Sequence, residues 1–444
     1  MITEKKFHPA QILAISFGVA IFIGTFLLLF PFSTHSGISL VDALFTSTSA
    51  VCVTGLIVQD TATYFTPAGQ IIIMCLFQLG GLGIMTFSTL ILLVAGRRIS
   101  VTDRVIMQEG YHHAYPGDVK SLIKNIFFYT LILEFLGAVF LFFHWNKEFS
   151  AGRALFQSVF HSLSAFCNAG FSLFSDSFMS YQGDLLVNAV IITLIILGGL
   201  GFLVLQEIRK VSWDMVKKRK FHVSLHTKMI LWLTLILVVG SLILFSAMEW
   251  NHSLKGLSFT EKMFASLFQV VTPRTAGFNT LNLNALSTVT VLLLISLMFI
   301  GASPGSTAGG IKTTTFGVIL AFIKSKMGAR NSVNIFYRTL PWELVTRAFL
   351  LAALALCVVF LSTFLILWVD PQLVFQKVLF EVFSAFGTVG LSLGITPELN
   401  EWGKVVIILT MYVGRISPLT LLYVFSRQKA AGRYEYVEET VMIA

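Results

Sequence analysis

The sequence has few charged residues and few cysteines. Only 12% of its 444 residues are Asp, Glu, Lys or Arg, whereas soluble domains carry roughly 25%. The mean hydropathy is +0.83, which would leave a water-soluble fold with too much exposed apolar surface. The composition therefore excludes the soluble classes and predicts an integral membrane protein. The four cysteines show no paired spacing, which favours free thiols over disulfides or metal ligands.

Residues for acid–base or metal chemistry are also scarce. We find no metal-ligand cluster, no paired catalytic carboxylates and no Ser–His–Asp constellation, so we predict that the chain is not an enzyme. His161 stands alone in an apolar segment, where packing is the simpler interpretation. The segment from Gly305 to Thr313 nearly matches a phosphate-binding loop, but its lysine is one position late. The basic run 217–220 is better explained by orientation beside anionic lipid than by nucleic-acid binding.

Long apolar runs, in contrast, are abundant. A membrane-spanning helix needs ~20 mostly apolar residues, and eight stretches meet this requirement. They cover residues 9–30, 68–94, 121–143, 184–205, 224–247, 284–326 with an interruption, 342–368 and 402–425. No small-residue cleavage site follows the first run, so we expect a retained membrane helix and not a signal peptide.

Eight spans would place both termini on the same side of the membrane. The opposite side holds few basic residues, namely Lys147, Arg153, Lys255, Lys262, Arg274, Lys377 and Lys404. Because cytoplasmic connections are enriched in Lys and Arg, the sequence predicts that both termini are cytoplasmic.

Short semi-apolar segments separate the runs in pairs and repeat a pattern. Aligned on one glycine each, they read SAVCVTGL, SAFCNAGF, VTPRTAGF and SAFGTVGL. The aligned glycines are Gly55, Gly170, Gly277 and Gly390, which are 115, 107 and 113 residues apart. A second landmark, LGGLG at 79–83, recurs at 197–201, and Gly301 and Gly414 hold the equivalent places. Close helix packing explains these later glycines but not a glycine ending each short segment.

This repeat predicts an all-α membrane fold of eight transmembrane helices and four re-entrant pore loops around a pseudo-fourfold pore. The predicted boundaries are 1–98, 99–210, 211–328 and 329–427 for the four pore repeats, and 428–444 for a cytoplasmic tail. Short helices are expected over 40–50, 152–165, 259–271 and 372–385. Segments of this kind are tolerated at membrane depth only when protein buries them or they line water.

Each repeated glycine ends a three-residue strip that could coordinate a cation. Rings of backbone carbonyls can replace the hydration shell of K⁺, and glycine adopts the required backbone angles without steric cost. The predicted K⁺-binding strips are Val53, Thr54 and Gly55; Asn168, Ala169 and Gly170; Thr275, Ala276 and Gly277; and Thr388, Val389 and Gly390. Short helices that end at the strips would add the negative ends of their dipoles.

The sixth apolar run is interrupted between Ile300 and Thr313 by glycines and a proline, which a regular helix does not accommodate. We predict a constriction or gate beneath the strips; a simple kinked helix is the alternative. The candidate gate residues are Gly301, Ser303, Pro304, Gly305, Ser306, Thr307, Gly309, Gly310, Lys312 and Arg415. Arg415 is an intramembrane charge, and we expect it to bind carbonyls of this loop.

Two further charges fall at membrane depth. Arg274 lies inside the third strip, where it either clamps backbone carbonyls behind the strips or faces the ion path. The second arrangement would oppose cation conduction. Glu134 stands alone in the third apolar run, where we favour packing with a hydrogen-bond partner.

Together, the four glycine-ending strips and the sequence GASPGSTAGGIKT resemble the Trk/Ktr/HKT potassium transporter superfamily over essentially the whole chain. The resemblance implies potassium uptake, with the four repeated glycines as selectivity-filter residues. In related plant proteins a serine in place of Gly55 accompanies sodium preference, so the glycine argues for potassium. The resemblance also implies that the loop 301–313 is a gate and that Arg415 stabilises it. The third strip departs from the pattern because it lacks Ser-Ala.

With eight spans and no extra N-terminal helices, the chain is most similar to the bacterial Ktr branch of this superfamily. That similarity implies a homodimer in the bacterial plasma membrane, with one pore in each protomer. It also implies a cytoplasmic octameric ring of KtrA-type subunits with RCK domains, which binds ATP or ADP, while this chain holds no cofactor. K⁺ is then the transported ion, sodium a stimulator, and the tail a contact with the dimer or the ring. The alternative is an alternating-access cation symporter coupled to sodium or protons.

Overall fold

The computed structural model of the protein describes residues 9–83, 119–418 and 420. The regular structure of this part of the chain is almost entirely helical, with one antiparallel two-stranded hairpin. The helices are α1 Pro9–Leu29, α2 Leu40–Val51, α3 Pro67–Leu82, α4 Val119–Trp145, α5 Ala151–Cys167, α6 Leu185–Leu200, α7 Phe202–Val216, α8 Leu225–Glu249, α9 Phe259–Val271, α10 Thr288–Phe299, α11 Thr313–Met327, α12 Trp342–Val369, α13 Phe375–Gly387 and α14 Glu401–Ile416. The strands are β1 Val333–Ile335 and β2 Arg338–Leu340.

Among the described residues, four helices are long and apolar enough to cross a membrane, namely α1, α4, α8 and α12. A fifth span results if α6 and α7 are counted together. These helices expose large apolar side chains such as Phe22, Phe135 and Leu235, a surface suited to lipid and not to water. The remaining predicted spans are shorter helices here, so the number eight stays a prediction. Residues 84–94 of the second run and the tail 428–444 lie outside the described residues.

The predicted fourth span, 184–205, is not one straight helix. Helix α6 ends at Leu200, and α7 leaves at an angle of 101°. The bend is centred on Gly201, whose φ is +91°, a left-handed conformation that glycine adopts without strain. A Cβ at Gly201 would lie 2.7 Å from Pro304 O, and the Phe202 N–H donates to Gly305 O at 2.9 Å. The bend therefore places this corner against the segment between α10 and α11.

Four short helices precede the glycine strips: α2, α5, α9 and α13. The bounds of α2 and α9 fall within one residue of those expected, whereas α5 runs on to Cys167 and α13 begins at Phe375. Local capping explains the clearest starts. The Ser39 side chain accepts from the Asp42 N–H, and Ser258 forms a capping box with Glu261, which satisfies N–H groups that a helix start leaves free.

One ion pair joins the beginning and the end of the chain. Lys404 Nζ lies 2.7 Å from Asp42 Oδ1, and the two side chains are only 15% and 13% exposed. We expect Asp42→Asn to destabilise the protein by about 2 kcal/mol, because it leaves a partly buried ammonium without its counter-charge. Thermal unfolding in detergent micelles measures this loss, and the exchanged pair Asp42→Lys with Lys404→Asp should recover part of it. An unchanged midpoint for Asp42→Asn would show that the pair contributes nothing.

Candidate functional site

The structure brings the four strip glycines together. A Cβ built on Gly55 would lie 2.9 Å from Gly170 Cα, and one on Gly170 would lie 3.1 Å from Gly277 Cα. A Cβ on Gly277 would lie 3.3 Å from Gly390 Cα, and one on Gly390 would lie 3.0 Å from Gly55 Cα. Four segments that are far apart in sequence therefore close a ring in chain order, which we call the glycine ring.

Main-chain oxygens fill the spaces between these glycines. The Cβ positions at Gly55, Gly170 and Gly277 would lie 2.6, 3.0 and 2.5 Å from the carbonyl oxygens of Ala169, Ala276 and Val389 respectively. At Gly390 the nearest atom is Thr54 O. All four glycines have positive φ, between +73° and +93°. A side chain at any of them would both strain the backbone and displace a carbonyl of the next strip.

The residue two positions before each glycine also has positive φ, although none of these residues is glycine. They are Val53 at 58°, Asn168 at 58°, Thr275 at 79° and Thr388 at 50°. Left-handed backbone costs an L-residue roughly 1–2 kcal/mol, and a β-branched residue there is a genuine outlier. Positive φ at alternate residues breaks the up-and-down alternation of carbonyls that an extended chain would have. Such strain tends to persist where a functional geometry requires it.

A hydroxyl near the end of each short helix ties the strip to that helix. The N–H groups of Gly55 and Gly390 donate to Ser49 Oγ and Ser384 Oγ at 3.1 and 3.0 Å. In the other two strips the hydroxyl donates instead. Ser164 Oγ reaches Phe171 O at 2.8 Å, and Thr272 Oγ1 reaches Phe278 O at 2.6 Å. We call Ser49, Ser164, Thr272 and Ser384 the anchor hydroxyls.

The third strip departs from Ser-Ala because its bend is one residue shorter. The Ala276 N–H donates to Thr272 O at 2.8 Å, four residues back. The equivalent bond of the first strip runs from Thr54 to Ser49 at 2.7 Å and spans five residues. Thr272 therefore takes the place of the serine, and the sequence alignment, which put Val271 there, was one position off.

The short helices end close to the glycine ring. Their last residues lie three to six positions before the ring glycines, and a helix C-terminus carries roughly half a negative charge.

Arg274 of the third strip bonds to a neighbouring helix. It is 6% exposed, and its Nη2 donates to Thr234 Oγ1 at 3.2 Å. Thr234 belongs to α8, which packs against α9. The guanidinium thus bonds a hydroxyl on a neighbouring helix, where we expected either carbonyls or the ion path.

The interruption of the sixth run is a closed loop and not a kinked helix. Ile300 pairs with Ile311 in a parallel bridge, and the Thr313 N–H donates to Ala302 O at 3.1 Å. The loop lies directly against the strips. Asn168 Nδ2 donates to Thr307 Oγ1 at 3.2 Å, and a Cβ on Gly309 would lie 2.8 Å from Thr388 Cγ2.

Arg415 fastens this loop to the first quarter of the chain. One guanidinium nitrogen donates to Thr307 O, as expected for a loop carbonyl, and the other donates to Gly80 O. The second partner was not anticipated from the sequence. Lys312 closes the loop on itself, because its Nζ donates to Ala308 O at 2.7 Å. The candidate gate residues therefore meet in one place next to the ring.

Close packing accounts for most of the later glycine landmarks. Side chains at Gly80, Gly198 and Gly414 would clash with carbonyl oxygens near the ends of α2, α5 and α13. Gly301 differs, because its nearest neighbour is Gly309 O of the loop, at 2.6 Å from the Cβ position.

Glu134 is 4% exposed and has the hydrogen-bond partner that we favoured. Gln78 Nε2 lies 2.8 and 3.1 Å from its two carboxylate oxygens. The pair links α4 to α3 next to Cys167 at the end of α5, so it is a packing contact between helices.

Comparisons with known proteins identify the family of the chain. The family model of the TrkH cation transport proteins matches residues 3–435. The Ktr system potassium uptake protein B of Bacillus subtilis is 43% identical over 96% of this chain and 95% of its own length. The potassium/sodium uptake protein NtpJ of Enterococcus hirae is 39% identical over 99% of this chain and 98% of its own length.

A solved structure shares the fold. The potassium transporter TrkH from Vibrio parahaemolyticus aligns with a TM-score of 0.73 at 20% identity, over 96% of this chain and 86% of that chain. Because the family model matches nearly the whole chain, the chain belongs to the TrkH family of cation transport proteins.

Proposed function

We propose that this protein is the pore-forming subunit of a potassium uptake system, in which carbonyl oxygens of the four glycine strips select the ion. The glycine ring is the observation that carries this proposal. Four strips close one ring, and each has a carbonyl against the glycine of the strip before it. Carbonyls are the kind of ligand that replaces the water around K⁺. The strips contain no carboxylate side chain, which disfavours a site for a divalent cation.

The names of the relatives agree with potassium as the transported ion. The protein from B. subtilis is a potassium uptake protein, and NtpJ is named for potassium and sodium. We also propose that sodium stimulates uptake. The proposal also includes a homodimer in the bacterial plasma membrane with cytoplasmic termini, and four pore repeats in each chain with the boundaries given above.

We further propose that the loop between α10 and α11 is the gate. It lies against two strips, and Arg415 holds it to the first quarter of the chain. A cytoplasmic ring of RCK subunits that binds ATP or ADP would open or close the pore by shifting this loop. A ligand of that ring can act only as far as its affinity for the ring differs between the two states of the loop.

Flux through the purified protein in proteoliposomes tests the proposal. We expect K⁺ to move down its electrochemical gradient in the presence of protein, and Na⁺ to move far more slowly. Protein-free liposomes are the control. Uphill K⁺ movement on an imposed sodium or proton gradient would favour the symporter instead, and absence of K⁺ flux with correctly folded protein would refute the proposed function.

A further inference from the structure

Each short helix carries a buried polar residue one turn before its anchor hydroxyl. These residues are Thr46, His161, Gln269 and Glu381, each three positions before the anchor of its own helix. All four are at most 2% exposed. Gln and Glu are seldom buried this deeply without a partner. Two of the four, His161 and Glu381, bond to the chain that follows the strip of their own helix.

His161 holds the chain that follows the second strip. Its Nε2 accepts from the Leu173 N–H at 3.1 Å and lies 3.1 Å from Ser172 Oγ. Its Nδ1 lies 2.8 Å from Gln157 O. Because a carbonyl only accepts and an amide N–H only donates, the proton of the neutral ring is on Nδ1. The imidazole also stacks on Phe174, with ring centroids 4.7 Å apart, so its orientation is fixed from three directions.

Glu381 holds the equivalent chain of the fourth strip. It accepts from Ser392 Oγ at 2.6 Å and from Thr396 Oγ1. Ser392 and Ser172 correspond, since each follows its ring glycine by two positions. Both serine hydroxyls also accept from the N–H two residues further on, at 3.0 Å in each case. A histidine and a glutamate thus bond to the same kind of serine turn in two different strips.

The other two strips differ at this position. The residues two positions after their glycines are Ile57 and Asn279, and neither is a serine. Within the described residues, the Thr46 hydroxyl and the Gln269 amide make no hydrogen bond to protein. In the order of the glycine ring, Gly170 and Gly390 lie opposite each other. The links through His161 and Glu381 are therefore on opposite sides of the ring.

We propose that His161 and Glu381 are positioning residues that determine ion specificity by bracing two opposite strips of the ring from behind. The inference rests on the proposed function of the ring as the site of selection. Where cavity size selects the ion, discrimination against the smaller Na⁺ requires that the carbonyls resist closing around it. A side chain that the short helix carries and that is hydrogen-bonded to the chain beyond the glycine opposes that movement.

Selectivity of the full-length protein in proteoliposomes tests this proposal. We expect His161→Phe and Glu381→Met to lower the K⁺-to-Na⁺ permeability ratio about fivefold to tenfold, because each removes buried hydrogen bonds that hold a strip. His161→Gln, which keeps an acceptor near the Leu173 N–H, should retain more of the ratio than His161→Phe. Thr46→Val and Gln269→Met are matched controls, since they remove equally buried polar groups without such a bond, and they should leave the ratio unchanged.

The serine variants test the same links from the other side. Ser172→Ala and Ser392→Ala should each lower the ratio in the same direction, and they keep the proposal testable if the larger changes impair folding. An unchanged ratio in both serine variants, or an equal fall in the two controls, would overturn the inference. If Gly55→Ser also leaves the ratio unchanged, the ring itself is not the selector. If Gly55→Ser changes the ratio and the serine variants do not, only the bracing role fails.

Discussion

Gly55→Ser will reduce the preference for K⁺ over Na⁺ by about tenfold or more, which corresponds to a loss of roughly 1.4 kcal/mol of discrimination. The glycine has φ +90°, and a Cβ there would lie 2.6 Å from Ala169 O and 2.9 Å from Gly170 Cα. A side chain can enter only if the neighbouring strip moves, and that strip provides carbonyls of the proposed ion site. The permeability ratio in proteoliposomes measures the effect, and growth of a potassium-uptake-deficient bacterium at low potassium reports it in cells.

Gly256→Ser is the matched control for this prediction. Gly256 has almost the same φ, +91°, but no atom beyond its two chain neighbours lies within 4 Å of its Cβ position. The control therefore introduces the same backbone strain without the displaced carbonyl. Equal ratios for Gly55→Ser and the wild type, at normal yield of folded protein, would show that the ring does not select the ion. A similar fall for Gly256→Ser would point to general strain instead.

Removal of residues 303–309 will raise K⁺ flux about tenfold, and Arg415→Gln will raise it in the same direction. The loop lies against the strips, and each guanidinium bond that Arg415 makes to a carbonyl is of the charge-assisted kind, worth about 1.5–3 kcal/mol. Without those bonds the loop can leave its position more often. Tracer flux per folded protein is the measurement. Arg338→Gln in β2, an exposed arginine of the hairpin, is the control and should leave flux unchanged.

A double variant shows whether Arg415 acts through the loop. If it does, Arg415→Gln should add nothing once residues 303–309 are deleted, because the Thr307 carbonyl is then gone. Additive effects would place the role of Arg415 elsewhere, for example at Gly80 O. Flux that stays at the wild-type level in the deletion variant would contradict the gate.

The sequence predicted those parts of the structure that depend on local composition. Capping serines and apolar runs set α2 and α9, and the repeated glycines marked the points that meet in the ring. The positive φ of Val53 and Thr275 could not be read from the sequence, because tertiary contacts impose it against the preference of these residues. The 101° bend at Gly201 was missed because the apolar run continues through it. The second partner of Arg415, Gly80 O, is 335 positions away and has no sequence signal.

The shorter bend of the third strip has a consequence for how the proposed pore can vary. In a ring assembled from identical subunits, any substitution would appear on all sides at once. Here each side of the ring has its own sequence. The bond that closes the bend at Thr272 spans four residues, whereas the equivalent bond at Ser49 spans five. Single-residue changes can therefore alter one wall while the other three keep their geometry, so affinity and ion preference can be adjusted in small steps during evolution or by design.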